Sequence, residues 1–328
     1  MNTWIALCKR EWLEHQGGFA WAPLGLLGAL VVLTLLVLSL GEANRFKIDL
    51  SSVDEPGGTS QHMHIDTGPK SVREALTAVL EQESWDTPKL ERALANVRLG
   101  VMAPFAIVYF LVAFFVLLGS LHDDRRDRSV LFWKALPVSD TQTVLSKLAT
   151  VIWLAPLLLI GAVLSAQVFF IAVLSTLVTN ADHLTPGAIW AHSGLALGFV
   201  ELLAGYLTQS FWALPVWGWL LLVSSVAPRV PFVWAVLVPA VPMLAEWILF
   251  GTGTLRGAVG NHLSGRAMPS VGNVESTNIG GIGEIVTAPV GLPEILSLWA
   301  TADMWLGILV GGAFIYAAIY FRRHNNEI

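Results

Sequence analysis

The stretch that decides the fold is APFAIVYFLVAFFVLLGSL, residues 103–121, together with the charge-dense sequence HDDRRDRS that follows it at residues 122–129. The first part is apolar and close to the ~20 residues that a helix needs to cross the hydrocarbon core of a bilayer. The second part cannot lie in hydrocarbon, because each ion at the bilayer centre costs about 2.5–3.5 kcal/mol on insertion scales. Another long apolar run, residues 149–178, follows the charges. The pattern predicts two membrane-spanning helices joined by a charged loop outside the membrane.

The composition of the whole chain predicts an all-α polytopic membrane protein. Hydrophobic residues make up 55% of the 328 residues and charged residues 13%, about half of the ~25% found in soluble domains. The single cysteine, Cys8, excludes a disulfide framework, and no basic run interleaved with aromatic residues predicts a nucleic-acid partner. Six transmembrane helices are expected, at residues 19–40, 103–121, 149–178, 200–226, 232–251 and 304–321.

The lysine and arginine residues predict the orientation of these spans. Segments that lie outside the bilayer on the cytoplasmic side of a membrane protein carry an excess of Lys and Arg, counted over short loops. If the N-terminus is inside, the two shorter outer loops hold only Arg256 and Arg266. The cytoplasmic segments then hold Lys9, Arg10, Arg125, Arg126, Arg128, Lys134, Lys147, Arg229, Arg322 and Arg323. Both termini are therefore expected in the cytoplasm.

The segments between the spans are predicted to differ in structure. Residues 1–18 carry Trp4, Cys8 and Trp12 at i, i+4 spacing and predict an N-terminal interfacial helix on the cytoplasmic side. Residues 41–102 are polar and predict a small outer helical cap, in which Thr87-Pro88 marks a helix start. The remaining segments are expected to be a cytoplasmic loop, an outer loop, a cytoplasmic turn, an outer loop with a short helix and a cytoplasmic tail, at residues 122–148, 179–199, 227–231, 252–303 and 322–328.

The chain lacks the sequence motifs of an enzyme. A Walker A P-loop places glycine directly before its lysine. The residues before the six lysines here are Cys8, Phe46, Pro69, Pro88, Trp133 and Ser146. No G-x-S-x-G or H-E-x-x-H motif occurs either. We therefore expect no catalytic residues and no cofactor on this chain, and we expect any ATP to bind on a separate protein.

The central segment has a pattern known from one transporter family. Residues 124–139 read DRRDRSVLFWKALPVS, and Lys147 follows. This resembles the loop after the second span in permeases of type-2 ABC exporters, which has acidic and arginine residues, then Gly-Thr, then an apolar helical turn ending in Leu-Pro-Val-Ser, and a lysine that opens the next span. Arg128-Ser129 replaces Gly-Thr here, whereas Leu136-Pro-Val-Ser139 is intact. The resemblance covers the helix layout of the whole chain but only about 25 residues in motif.

The resemblance implies a coupling helix that docks in a cleft of a separate ATPase subunit. In that family two permeases pair with two ATPases, which bind ATP and Mg, and closure of the ATPases rearranges the spans. The second permease would be another copy of this chain or a homologous one, in a bacterial inner membrane. Charged side chains would fix the register on the ATPase and aromatic ones would be buried in it. The residues expected to couple are Asp123, Asp124, Arg125, Arg126, Asp127, Arg128, Ser129, Phe132 and Trp133. The alternative is a solvated turn that only marks topology.

Four residues inside predicted spans are candidates for a substrate path. They are Glu201, Gln209, Trp212 and Glu246. An acid in a membrane span is a functional hypothesis by default, because its burial is costly without a partner. However, both carboxylates lie near the predicted outer ends of their spans, where a structural hydrogen bond or contact with headgroup water is the alternative.

Three functions remain open at the level of the sequence. The first is an ATP-driven exporter of a hydrophobic or amphipathic substrate. The second is a proton-coupled secondary transporter that uses Glu201 and Glu246, for which inverted repeats with broken helices at the midplane are expected. The third is a membrane sensor or scaffold that binds a partner through residues 41–102. A weaker pattern, His62, His64 and Asp66, alternates possible metal ligands.

Overall fold

The computed structural model describes residues 3–43, 87–127, 138–178, 185–263, 274–277, 284–287 and 291–324. These residues are almost entirely helical, and six helices are long and apolar enough to cross a membrane. The predicted class, an all-α polytopic membrane protein, is therefore confirmed. One short antiparallel hairpin, β1 (Val274–Thr277) with β2 (Glu284–Thr287), is an addition that the sequence does not predict. The candidate metal ligands His62, His64 and Asp66 lie outside the described residues.

The α-helices follow the predicted spans with shifted boundaries. In chain order, the described α-helices are α1 (Thr3–Gln16), α2 (Ala22–Ala43), α3 (Thr87–Arg126), α4 (Asp140–Ala149), α5 (Ala155–Leu177), α6 (Pro186–Ala191), α7 (Leu195–Trp212), α8 (Leu214–Val226), α9 (Pro231–Phe250), α10 (Thr254–Leu263), α11 (Leu292–Ser297) and α12 (Ala302–His324). Spans one, two, three, five and six correspond to α1–α2, α3, α4–α5, α9 and α12. The fourth helix of spanning length is Pro186–Trp212, which comprises α6 and α7. The predicted span four, residues 200–226, therefore begins later than this helix and is divided between α7 and α8 at Ala213, just before Pro215. We call α7 and α8 together span four.

Two of the long helices contain a π-helical turn directly before an Ala-Pro pair. Gly17–Trp21 joins α1 to α2 ahead of Pro23, and Thr150–Leu154 joins α4 to α5 ahead of Pro156. Proline has no N–H and its ring clashes with the carbonyl four residues earlier, and a π turn widens the helix at that point. The amide of Ala155 donates to the carbonyl of Thr150, and the following residue, Pro156, has no N–H to donate. The next carbonyl, that of Val151, therefore has no donor in its own helix. The hydroxyl of Tyr109 in α3 donates to it at 3.2 Å, which ties span two to span three.

The predicted interfacial helix, residues 1–18, is helical from Thr3 onward and runs into span one without a break. The backbone stays helical from Thr3 to Ala43, so α1 is the extension of span one. It packs along α4, and α2 packs along α5, so span one follows span three over both of its parts. Helix α1 packs against other helices because one side of it carries charged residues that pair with charged residues there, as described below.

Both ends of the predicted central loop are helical. Helix α3 continues to Arg126 and α4 begins at Asp140, which shortens the predicted loop 122–148 from both sides. Ser139 is the N-cap of α4: its hydroxyl accepts from the amide of Gln142 at 3.2 Å, and the Gln142 side chain accepts from the amide of Ser139 at 3.1 Å. This capping box stabilises the helix start and gives the serine of Leu-Pro-Val-Ser a structural role. At the other end, α3 begins at Thr87, so part of the predicted outer cap, residues 41–102, belongs to span two.

Helices α8 and α12 pack with their backbones in close contact. A Cβ on Gly218 would lie 2.6 Å from the carbonyl oxygen of Gly311, and a Cβ on Gly311 would lie 2.6 Å from the carbonyl carbon of Leu214. Small residues let two backbones approach in this way. The contact fixes the second half of span four against span six.

Candidate functional site

A network of buried charged side chains lies at one end of the helix bundle. At its centre is the carboxylate of Asp124, near the end of α3, which is 3% exposed. It lies 3.2 Å from Arg322 Nη1 in α12, 3.3 Å from Arg10 Nη2 in α1 and 3.6 Å from Lys147 Nζ in α4. One carboxylate therefore joins four helices, from spans one, two, three and six. We call this end of the molecule the charged end.

Further acids complete the network. Glu11 in α1 and Lys147 are each 1% exposed, and Lys147 Nζ lies 3.3 Å from Glu11 Oε1. Arg322 also reaches Asp140, the first residue of α4, at 3.2 Å. Arg10 pairs with Glu14 at 3.2 Å. Buried charges are tolerated when they are paired and hydrogen-bonded, but removal of one partner leaves the others uncompensated.

Span four is joined to the same end of α3 by hydrogen bonds. The guanidinium of Arg125 donates to the carbonyls of Ser224 and Ala227 at 2.8 and 2.9 Å. These carbonyls lie at the C-terminus of α8, where carbonyls lack donors within the helix and a cation is favourable. The hydroxyl of Ser224 accepts from the amides of Leu121 and His122 at 2.9 and 3.0 Å. The last turn of α3 is therefore held by spans one, three, four and six together.

The predicted coupling residues divide into three groups. Asp124 is buried and Arg125 is half-buried, and both hold helices together. Asp123, Arg126 and Asp127 are exposed at the end of α3. Arg128, Ser129, Phe132 and Trp133 lie outside the described residues. The described surface that a partner could contact at this place is therefore the last turn of α3.

Comparison with known proteins found no matching family model, no similar curated protein and no similar solved structure. The resemblance to type-2 ABC exporter permeases consequently rests on the central motif and the helix layout.

Glu246, one candidate for the substrate path, caps a helix. Its Oε1 accepts from the hydroxyl of Thr252 and the amide of Thr254, both at 2.8 Å, and also from the hydroxyl of Thr254. Its Oε2 accepts from the amide of Leu255 at 2.9 Å. These amides are free donors at the N-terminus of α10, which a carboxylate satisfies. The geometry favours the structural alternative for this residue.

Glu201 lies in a different environment, beside an arginine of span two. Arg98 of α3 is close enough for electrostatic attraction to Glu201, and its guanidinium donates to the carbonyl of Gly194. A Cβ on Gly194 or on Gly198 would lie 2.7 Å from Arg98 Nη1, so both glycines make room for this side chain. Gly194 also has φ of 61°, a backbone conformation that glycine adopts without strain.

Trp212 and Gln209 are buried at the end of α7. The indole N–H of Trp212 donates to the carbonyl of Asn261 at 2.7 Å, and His262 Nδ1 lies 2.8 Å from the carbonyl of Trp212. Trp212 is thus fixed against the end of α10, the helix that Glu246 caps at its start. The structure brings Trp212 and Glu246 to one helix, α10, and places Glu201 near Arg98 of α3 instead.

Three side chains of metal-ligating types lie close together at the charged end. Ligand atoms of Glu11, Glu14 and His15 lie within 4.8 Å of one another. However, Glu11 is paired with Lys147 and Glu14 with Arg10, and cations that already neutralise the acids leave a metal little electrostatic advantage. The ion pairs account for this cluster.

The sequence does not predict which charged residues pair within this network. Glu11, Asp140 and Arg322 all lie near span ends and carry charge, which is a signal for topology but not for pairing. The sequence marks Arg10 and Arg322 only as cytoplasmic cations and Lys147 as a cation of the central motif, although Lys147 and Arg322 are buried. A charged residue at regular helix spacing from an apolar stripe, as Glu11 is, could have pointed to a buried pair.

Proposed function

We propose that this chain is the membrane permease subunit of a type-2 ABC exporter, in which a separate ATPase binds ATP and drives a hydrophobic or amphipathic substrate outward. The charged end would face the cytoplasm of a bacterial cell. The chain would pair with a second permease and with two ATPases. The observation that carries the proposal is the buried network around Asp124, which anchors both sides of the central segment to other spans.

The central segment between α3 and α4 would transmit force to the spans because of how its two ends are held. Its first side leaves α3 three residues after Asp124, and its second side enters α4 through Ser139 and Asp140. Asp124 and Asp140 both bind Arg322 of span six at 3.2 Å, and Lys147 binds Glu11 of span one. A force on the segment must therefore move the ends of spans one and six or break buried ion pairs. This is the link that an ATPase would need in order to move the bundle.

The geometry gives less support to proton-coupled transport. That alternative requires carboxylates that gain and lose protons in a water-accessible path. Glu246 accepts several hydrogen bonds as a helix cap, and Glu201 lies beside the cation of Arg98. The first arrangement gives Glu246 a structural role as a helix cap, and the second places a cation near Glu201.

The test is affinity purification of the tagged chain from native membranes in mild detergent. The variant Arg126→Glu/Asp127→Arg reverses two exposed charges at the end of α3, and Arg323→Glu is the control, because Arg323 is exposed at the charged end but lies in α12. We expect a soluble ATPase to co-purify with the wild type and with the control but not with the double variant. Absence of any ATPase from the wild type would contradict the proposal. Its equal recovery with the double variant would contradict docking at this surface.

A further inference from the structure

An apolar groove lies between spans four, five and six. It has a volume of about 340 Å³, within the ~300–1,000 Å³ of small-molecule sites. Its walls come from α8, α9 and α12, and include Trp219, Trp234, Val238 and Phe321. All of its lining residues are apolar, and at one end they include Ala227 and Pro228, which follow α8 at the charged end.

The groove is held open by a hydrogen bond between two of its walls. The indole N–H of Trp219 in α8 donates to the carbonyl of Ala235 in α9 at 3.1 Å. Pro239 lies four residues after Ala235 and has no N–H to offer to that carbonyl. Because this carbonyl has no donor at Pro239, the hydrogen bond from Trp219 fixes the indole ring against the backbone of α9. The position of this wall of the groove is therefore set by the backbone.

Two cations without an acidic partner among the described residues lie next to the end of the groove. Arg125 bonds the carbonyl of Ala227, a groove residue, while its Nε is buried without a hydrogen-bond partner. Its close charged neighbour is another cation, Arg322. Arg229 directly follows the groove residue Pro228 and is exposed. Capping of α8 accounts for one nitrogen of Arg125 but leaves its charge uncompensated by any described carboxylate.

We propose that the groove holds one acyl chain of an anionic phospholipid, whose phosphate lies against Arg125 and Arg229. The apolar walls match a hydrocarbon chain, and the cations at the end match the headgroup. Basic pockets between membrane helices bind anionic headgroups. The lipid is a bound component of the leaflet at the charged end. The inference goes beyond the proposed function and does not depend on an ATPase or on transport.

The test is titration of the purified chain with phosphatidylglycerol and with phosphatidylcholine, followed by native mass spectrometry. Val238→Trp fills the groove, and Val236→Trp is the matched control, because Val236 is exposed on the same helix and does not line the groove. Arg125→Gln/Arg229→Gln removes both cations while keeping a donor at α8, and Arg256→Gln removes an exposed cation elsewhere. We expect phosphatidylglycerol to bind the wild type at least tenfold more tightly than phosphatidylcholine. We expect this preference to survive in both controls, to disappear in the double variant, and binding to weaken about tenfold in Val238→Trp.

Two results of the titration would overturn the inference. One is equal affinity of the wild type for both lipids, and the other is equal binding of phosphatidylglycerol by Val238→Trp and Val236→Trp. A measurement on the wild type protects against variants that fail to fold. Phosphatidylglycerol with a photoreactive acyl chain should label peptides from residues 219–238 in vesicles, and labelling confined to other peptides would also overturn it.

Discussion

At the scale of single residues, Lys147 shows how a charge becomes structural. Its ammonium group is almost fully buried and lies between Glu11 at 3.3 Å and Asp124 at 3.6 Å. Lysine is rarely buried in this way unless it is paired. Without it, the two carboxylates would share a buried site with less positive charge, which is unfavourable.

We predict that Lys147→Met lowers the free energy of unfolding by about 3–5 kcal/mol, the usual cost of leaving a buried charge without its partner. SDS titration in mixed micelles measures the change. Arg126→Met is the control, because Arg126 is an exposed cation near the same helix ends, and we expect a change within about 0.5 kcal/mol. Equal effects of the two substitutions would mean that the network contributes no more than surface charge.

Glu246 gives a second prediction at this scale. Glu246→Ala removes the cap of α10, so we expect a less stable helix start and faster amide hydrogen exchange in residues 254–263. Hydrogen exchange with mass spectrometry measures the local effect, and Glu91→Ala, at an exposed position of α3, is the control. Unchanged exchange in α10 would show that the carboxylate has another role.

At the scale of elements, the close contact between α8 and α12 depends on glycine, because a side chain there would meet the backbone of the other helix. A Cβ at Gly311 would meet the backbone of Leu214, whereas a Cβ at the adjacent Gly312 would meet nothing within 4 Å. We predict that Gly311→Ala destabilises the chain by about 1–3 kcal/mol because it overpacks the contact. Gly312→Ala should be neutral or stabilising by up to about 1 kcal/mol, because alanine is the better helix former. Thermal unfolding of the two purified variants checks the difference, and the opposite order of stability would refute this packing.

Prolines act at the same scale by releasing carbonyls that other helices then bind. The sequence shows Pro156, and a bend there could be predicted. It could not show that Tyr109 supplies the missing donor to Val151, because the two residues are 42 positions apart. Contacts of this kind depend on how the helices are arranged in space, which hydrophobic periodicity does not encode.

At the scale of the whole molecule, the lengths of the apolar runs predict the membrane spans. The positions of the charged residues, in contrast, do not predict which of them form pairs. Six apolar runs are visible in the sequence because hydrocarbon requires them. The partners of Asp124 come from positions 10, 147 and 322, and nothing local in the sequence links these positions. The same limit applies to the candidate site: residues 122–129 are visibly unusual, but which of them are buried depends on the neighbours that they meet.

The central claim is that Asp124 links the end of span two to spans one, three and six. Hydrogen exchange of Asp124→Asn in lipid nanodiscs tests it most directly, with Asp127→Asn as the exposed control. We predict faster exchange in residues 6–16, 140–149 and 318–324 of Asp124→Asn, far from position 124 in sequence, and none of these changes in Asp127→Asn. Faster exchange confined to residues 120–127, or the same pattern in both variants, would contradict the account.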